Sequence, residues 1–233
     1  MTTLTQTLLP LTTITFPEIA LRTRDAHKLR GYFGELFREH SPLLHNHYET
    51  DTDESPRYRY AYPLVQYKVL HRTPTLVGIR EGATLLAQLF LRIRELDING
   101  ERFPVLSKHI RHEQAPLGIS DELHRYRFET LWMALNQDNY RDYRNRSETE
   151  RHAQLKRVLI TQLLGLFREA DLWLAPHERI MVHLSVEPHT TQFKNQTMMA
   201  FAGEFTANVV LPDGLGLGKS VARGFGAVRR LSS

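Results

Sequence analysis

The stretch Tyr60-Ala-Tyr-Pro-Leu-Val-Gln-Tyr-Lys-Val-Leu-His-Arg-Thr-Pro-Thr-Leu-Val-Gly-Ile79 holds two strand-like runs, Tyr60 to Leu70 and Thr75 to Ile79, around a turn at His71 to Pro74. The sequence period changes on either side of this hairpin. Upstream, Ala26, Leu29, Phe33, Leu36 and Phe37 recur at helical spacing before Pro42, which predicts a helix over about 24–39. Downstream, Leu85, Leu86, Leu89, Phe90 and Ile93 form one apolar face, which predicts a second helix over about 81–94. Leu11 to Ala20 is strand-like in its Thr, Ile and Phe, and Gly100 closes a turn into Arg102 to Ile110. The order strand, helix, strand, strand, helix, strand is that of a ferredoxin-like (βαββαβ) unit, an antiparallel sheet with both helices on one face. The unit ends near residue 115.

The second half repeats the scheme in a more degenerate form. His124 to Leu131 is strand-like, and a polar aromatic segment surrounds Tyr140 and Tyr143. Ser147 and Glu150 make a capping-box signature ahead of Leu155, Val158, Leu159, Leu163, Leu166 and Phe167, so a long helix is expected to about Ala170. Strands are expected over Arg179 to Glu187, Met198 to Leu211 and Phe225 to Leu231. The fold class is therefore α+β, two tandem ferredoxin-like domains over residues 1–115 and 116–233, with separate sheets flanking a basic groove.

The chain of 233 residues has no cysteine, which excludes a disulfide framework, a thiolate metal site and a cysteine nucleophile. Its first charged residue is Glu18 and its first basic one Arg22, so a secretory n-region is missing from the start and a soluble cytoplasmic protein is expected. The net charge of +4 matters less than its distribution. Arg141 to Arg157 holds six basic and three acidic residues, and Asp213 to Ser233 four basic and one acidic, the footprint either of a polyanion partner or of a solvated basic face.

Near the C-terminus, Asp213-Gly-Leu-Gly-Leu-Gly-Lys-Ser-Val-Ala-Arg-Gly-Phe-Gly226 gathers five of the thirteen glycines. Glycine lets backbone amides approach a phosphate closely, with Lys219 and Arg223 at hand to supply charge. A P-loop is refused because its first glycine would fall at Asp213, and the dinucleotide fingerprint because its third would fall at Lys219. A ligand-free hairpin loop stays open beside the phosphate reading. The other constellation is Leu44-His45-Asn46-His47-Tyr48. Two imidazoles so placed suit general acid and base, two metal ligands, or no role at all. The tyrosine pairs Tyr58 with Tyr60, Tyr62 with Tyr67, and Tyr140 with Tyr143 suit either base stacking or a strand core.

Taken together, Gly216-Leu-Gly218, five residues, then Gly224-Phe-Gly226, and the histidine segment followed by Tyr62-Pro-Leu-Val-Gln-Tyr-Lys68, resemble the CRISPR repeat-processing endoribonucleases of the RAMP superfamily, in particular their two-histidine subgroup. The resemblance implies tandem ferredoxin-like domains and cleavage of a precursor transcript within each repeat, with no metal and no cofactor. The 2′-hydroxyl attacks the adjacent phosphate, leaving a 2′,3′-cyclic phosphate and a 5′-hydroxyl. It casts His45 and His47 as the catalytic acid and base, and Lys219, Lys68 or Lys28 as the cation offsetting phosphorane charge. Gly214, Gly216, Gly218, Lys219, Arg223, Gly224 and Gly226 are expected at the RNA, together with Lys68 and Lys28. CRISPR repeat RNA, precursor and mature guide, is the implied partner, no membrane is involved, and effector subunits or a homodimer remain open. A non-catalytic RNA-binding subunit of an effector complex is the competing reading, since it shares fold and loop. The acids Glu49, Asp51, Asp53 and Glu54 have no account beyond a solvent-facing loop.

Overall fold

The structure, a computed structural model, describes residues 4–36, 62–193 and 196–232. His45, His47, Tyr58 and Tyr60 lie outside the described residues. The chain divides into two units: Leu9–Gln114 with Ala222–Gly224, and Ala115–Val221 with the described residues up to Leu8 and from Phe225. The expected boundary fell after residue 115. Against it, residues 4–8 join the C-terminal unit because the Thr5 amide donates to Glu178 at 2.8 Å and the Ile119 amide donates to the Thr5 carbonyl at 2.9 Å.

The N-terminal unit runs β1 (Gln6–Thr15), α1 (Ala26–Leu36), β2 (Val65–Leu70), β3 (Thr73–Ile79), α2 (Glu81–Leu89) and the start of β6 (His109–Phe128), with a small hairpin of β4 (Glu95–Ile98) and β5 (Glu101–Pro104) between the last two. Its strands lie in the order β2-β3-β1-β6. Both β2 and β1 pair with β3 antiparallel, with Tyr67 opposite Leu76 and Leu11 opposite Ile79. The core forms where the helical stripe of Ala26, Leu29 and Phe33 meets Phe16, Tyr67, Val69 and Leu86, all buried. The Phe33 ring stacks 6.3 Å from Phe16 and 5.9 Å from Tyr67. The expected α1 begins at Ala26, after a 3-10 turn at Thr23–Asp25, and its expected end at 39 lies outside the described residues.

The C-terminal unit runs from β6 through α3 (Gln137–Arg144), α4 (Glu148–Glu169), β7 (Val182–Phe193) and β8 (Gln196–Val210) to β9 (Val228–Arg230). Tyr126 of β6 pairs with Phe205 on one edge and Arg230 on the other, giving the order β9-β6-β8-β7. This is the strand order of the first unit, with the glycine-rich segment and a 3-10 turn at Val221–Arg223 standing where α2 stood. The capping box forms as its sequence implies: the Ser147 amide donates to Glu150 Oε2 at 2.9 Å and the Glu150 amide to Ser147 Oγ at 3.4 Å. Leu155, Leu159, Leu163, Leu166 and Phe167 are the buried stripe of α4.

Two expectations are corrected. The strand expected at Arg102 to Ile110 divides between β5 and β6, and β6 runs 20 residues where a shorter one was expected from His124. The strands β1 and β6 each supply residues to both units. Tyr67 and Tyr143 are buried, so neither is available to stack a base. No described helix is long and apolar enough to cross a membrane.

Candidate nucleic-acid interface and catalytic residues

The glycine-rich loop is held by its own amides. Gly214 donates to Val228 O at 2.8 Å, Leu217 to Gly226 O, Lys219 to Met133 O and Gly226 to Leu131 O, each at 2.9 Å, and Ala227 donates to Thr130 Oγ1 at 2.9 Å. Those five donors are spent inside the protein and do not face a phosphate. The glycines are required for packing. Gly218 has φ +98°, and a Cβ there would stand 2.7 Å from Met133 O and 2.9 Å from the Trp132 ring. Gly226 has φ +67°, and its Cβ would strike the Leu217 carbonyl. Gly216 bridges Ala227.

What the loop offers outward is side-chain charge. Lys219 is exposed. It lines a cavity of about 500 Å³ in the C-terminal unit together with Arg146 and Arg157. The basic run Arg141 to Arg157 and the glycine loop, remote in sequence, thus meet at one surface. Other cations of the C-terminal segment are already engaged: Arg229 Nε donates to Glu129 at 3.1 Å, and Arg230 meets His124 Nδ1 at 2.7 Å.

In the N-terminal unit the 3-10 turn brings Arg223 and Gly224 onto β2. A Cβ on Gly224 would stand 2.5 Å from Ala26 Cβ, 3.3 Å from Tyr67 O and 3.9 Å from Lys68 Cα. Strand alternation puts Tyr67 in the core under α1 and Lys68 on the opposite face. Lys68 is fully buried, and its Nζ has no hydrogen-bond partner among the described residues. Burial alone pushes its pKa down to about 7. Burial and the like charge of Arg30 likewise hold Arg223 below its ordinary value. Lys28 differs, because its Nζ lies 2.7 Å from Asp25 Oδ1, three residues before it. Its charge is matched within α1 and its preceding turn.

The structure therefore gathers Lys219 with Arg146 and Arg157 at one surface and sets Arg223 within reach of the charge of Arg30. Arg30, Arg146 and Arg157 were not singled out from the sequence, although the basic run containing the last two was. Among the described residues no group of three or more His, Asp or Glu could hold a metal ion.

Comparison with known proteins follows the same two-unit division. The Cas6b N-terminal domain model matches residues 7–116 and the Cas6b C-terminal domain model residues 118–231. A crystal structure of Cas6b superposes with TM-score 0.86 at 32% identity, covering 96% of this chain and 99% of that one. The crystal structure of the CRISPR RNA processing endoribonuclease Cas6b gives TM-score 0.73 at 31% identity, covering 96% and 99%. An uncharacterized protein of Methanocaldococcus jannaschii is 29% identical over 147 residues, 63% of this chain and 99% of its own length. With both domain models matched in order across nearly its whole length, the chain belongs to the Cas6b family, a branch of the RAMP-type CRISPR proteins with tandem ferredoxin-like domains.

Proposed function

We propose that this chain is an endoribonuclease that binds CRISPR repeat RNA and cuts the precursor transcript within repeats to give guide RNAs, without a metal. The observation that carries the reading is the 31% identity, over 96% of the chain, to the Cas6b endoribonuclease that processes CRISPR RNA. One histidine of the pair His45 and His47 takes the proton of the 2′-hydroxyl, whose oxygen attacks the adjacent phosphorus. The other gives a proton to the departing 5′-oxygen. The products are a 2′,3′-cyclic phosphate and a 5′-hydroxyl, so protons and bonds balance without an outside reactant. Each proton transfer accelerates the reaction by typically ~10²- to 10⁴-fold.

Lys219, exposed on the glycine loop, is the cation for the phosphorane, because Lys68 Nζ is fully buried and out of reach of RNA. Lys219 and Arg223 hold RNA phosphates from the glycine loop, and Gly214, Gly216, Gly218, Gly224 and Gly226 shape the loop that presents them. Lys28 contributes less, because Asp25 already neutralises it.

The test is incubation of end-labelled repeat RNA with the purified chain in EDTA. One cut per repeat is expected. Tight binding with no cut would leave an RNA-binding subunit in its place.

A further inference from the structure

The cavity of about 500 Å³ in the C-terminal unit has the volume of a small-ligand site. Its lining includes Asn139, Asp142, Arg146, Gln154, Arg157 and Lys219, three cations against one carboxylate. That balance suits a phosphate. A second, independent observation concerns Gln154, which is only 5% exposed. Its amide nitrogen donates to the Asn139 carbonyl at 2.9 Å, which fixes the way the amide is turned. Its Oε1 is then buried with no partner among the described residues.

A buried acceptor without a donor is costly, so a site that keeps one is built to receive an N–H. The neighbouring Gln162 shows the contrast: its Oε1 accepts from Trp132 Nε1 at 2.7 Å and its Nε2 donates to Ala134 O at 3.3 Å. The Gln162 amide has both its oxygen and its nitrogen paired, whereas the Gln154 oxygen is unpaired among the described residues. A nucleotide combines the two groups this lining asks for, an anionic phosphate and a planar base with an N–H on its edge.

We propose that the cavity holds one nucleotide of the bound RNA, its phosphate among Arg146, Arg157 and Lys219 and a base N–H donated to Gln154 Oε1. The choice of RNA over other phosphates rests on the function proposed above. This pocket reads a base, which the exposed lysines and arginines of the loop do not.

The experiment uses the full chain and isothermal titration with four nucleoside 5′-monophosphates in two pairs: AMP against purine riboside monophosphate, and CMP against its 4-deamino analogue. Each pair differs only in the exocyclic amino group, and inorganic phosphate is the control. At least one amino-bearing member should bind about tenfold more tightly than its partner and than inorganic phosphate, an effect of the size one hydrogen bond to a buried group carries. Gln154→Met should bring the pair within twofold, Arg157→Ala should weaken both members alike, and Thr161→Phe, at an exposed position of the lining, should abolish both. Should neither pair be discriminated, should the nucleotides bind no better than inorganic phosphate, or should Thr161→Phe leave binding intact, the proposal fails. Since no cleavage is measured, a chain that binds AMP or CMP in this way but leaves repeat RNA uncut would keep the pocket and lose the enzyme.

Discussion

The double substitution His45→Ala, His47→Ala should slow single-turnover cleavage of repeat RNA by about 10⁴-fold or more, while the Kd for a 2′-deoxy, uncleavable repeat changes less than about threefold. The large effect follows from the chemistry. A 2′-hydroxyl is a poor nucleophile until its proton is taken, and a 5′-alkoxide is a poor leaving group until a proton is given. Each single substitution should cost most of that factor, because losing either partner breaks one concerted act. With both roles carried by imidazole, the wild-type rate should follow a bell in pH around neutrality, one ring neutral and the other protonated. A thio-substituted leaving group needs no acid and should rescue only the variant lacking it. Wild-type rates from the double variant would remove the pair from the mechanism.

The second large effect is expected at Lys68, in the stability of the fold. Its pKa falls from 10.5 to about 7 in the folded chain, so between those values the unfolded state binds more protons than the folded one. Stability should therefore rise with pH across the window from about 7 to about 10.5, and the burden of burying the charge is greatest below it. The full span corresponds to roughly 5 kcal/mol, an order-of-magnitude figure. Lys68→Met, which fills the same space without the charge, should be more stable than wild type at pH 7 and should lose this slope in urea melts at pH 7 and pH 9.5. A Lys68→Met variant less stable than wild type at pH 7, or one that keeps the slope, would contradict this reading. In cleavage of repeat RNA, the loss of about 10²- to 10³-fold usual when one group stabilising transition-state charge is removed is expected of Lys219→Ala.

How far these residues were legible in the sequence depends on what each signal encodes. The helices α1, α2 and α4 announce themselves because an apolar stripe must face a core, and Ser147 with Glu150 marks the start of α4 by a reciprocal pair of hydrogen bonds. The helix α3 carries no such stripe. Its sequence, Gln137–Arg144, is polar apart from Tyr140 and Tyr143, and its N-terminus is capped by the bond from the Asn139 amide to Asn136 Oδ1 at 2.7 Å. The first part of β6 was hidden for a related reason: from His109 to Glu113 no apolar alternation marks it, and its place is set by neighbouring strands through contacts such as Thr12 Oγ1 with His112 Nδ1 at 2.7 Å.

The candidate site was readable in composition and less so in use. The glycine cluster signals close approach of backbone to something, and only the structure shows that at Gly218 and Gly226 this is Met133, Trp132 and Leu217 of the protein itself. Lys28 had its partner in plain view at Asp25, three residues away. Lys68 could not be told from an exposed lysine, because on β2 every residue from Val65 to Val69 is buried and the strand lacks the polar face that a lysine suggests. The convergence of Arg146, Arg157 and Lys219 is a product of tertiary folding that no local pattern encodes.

The end groups left by cleavage in EDTA test the central claim most directly. Mass spectrometry of repeat RNA cut by the purified chain should find a 2′,3′-cyclic phosphate, or the 3′-phosphate from its opening, on the upstream fragment and a 5′-hydroxyl on the downstream one. A 3′-hydroxyl with a 5′-phosphate, or cutting that requires an added divalent ion, would contradict the account.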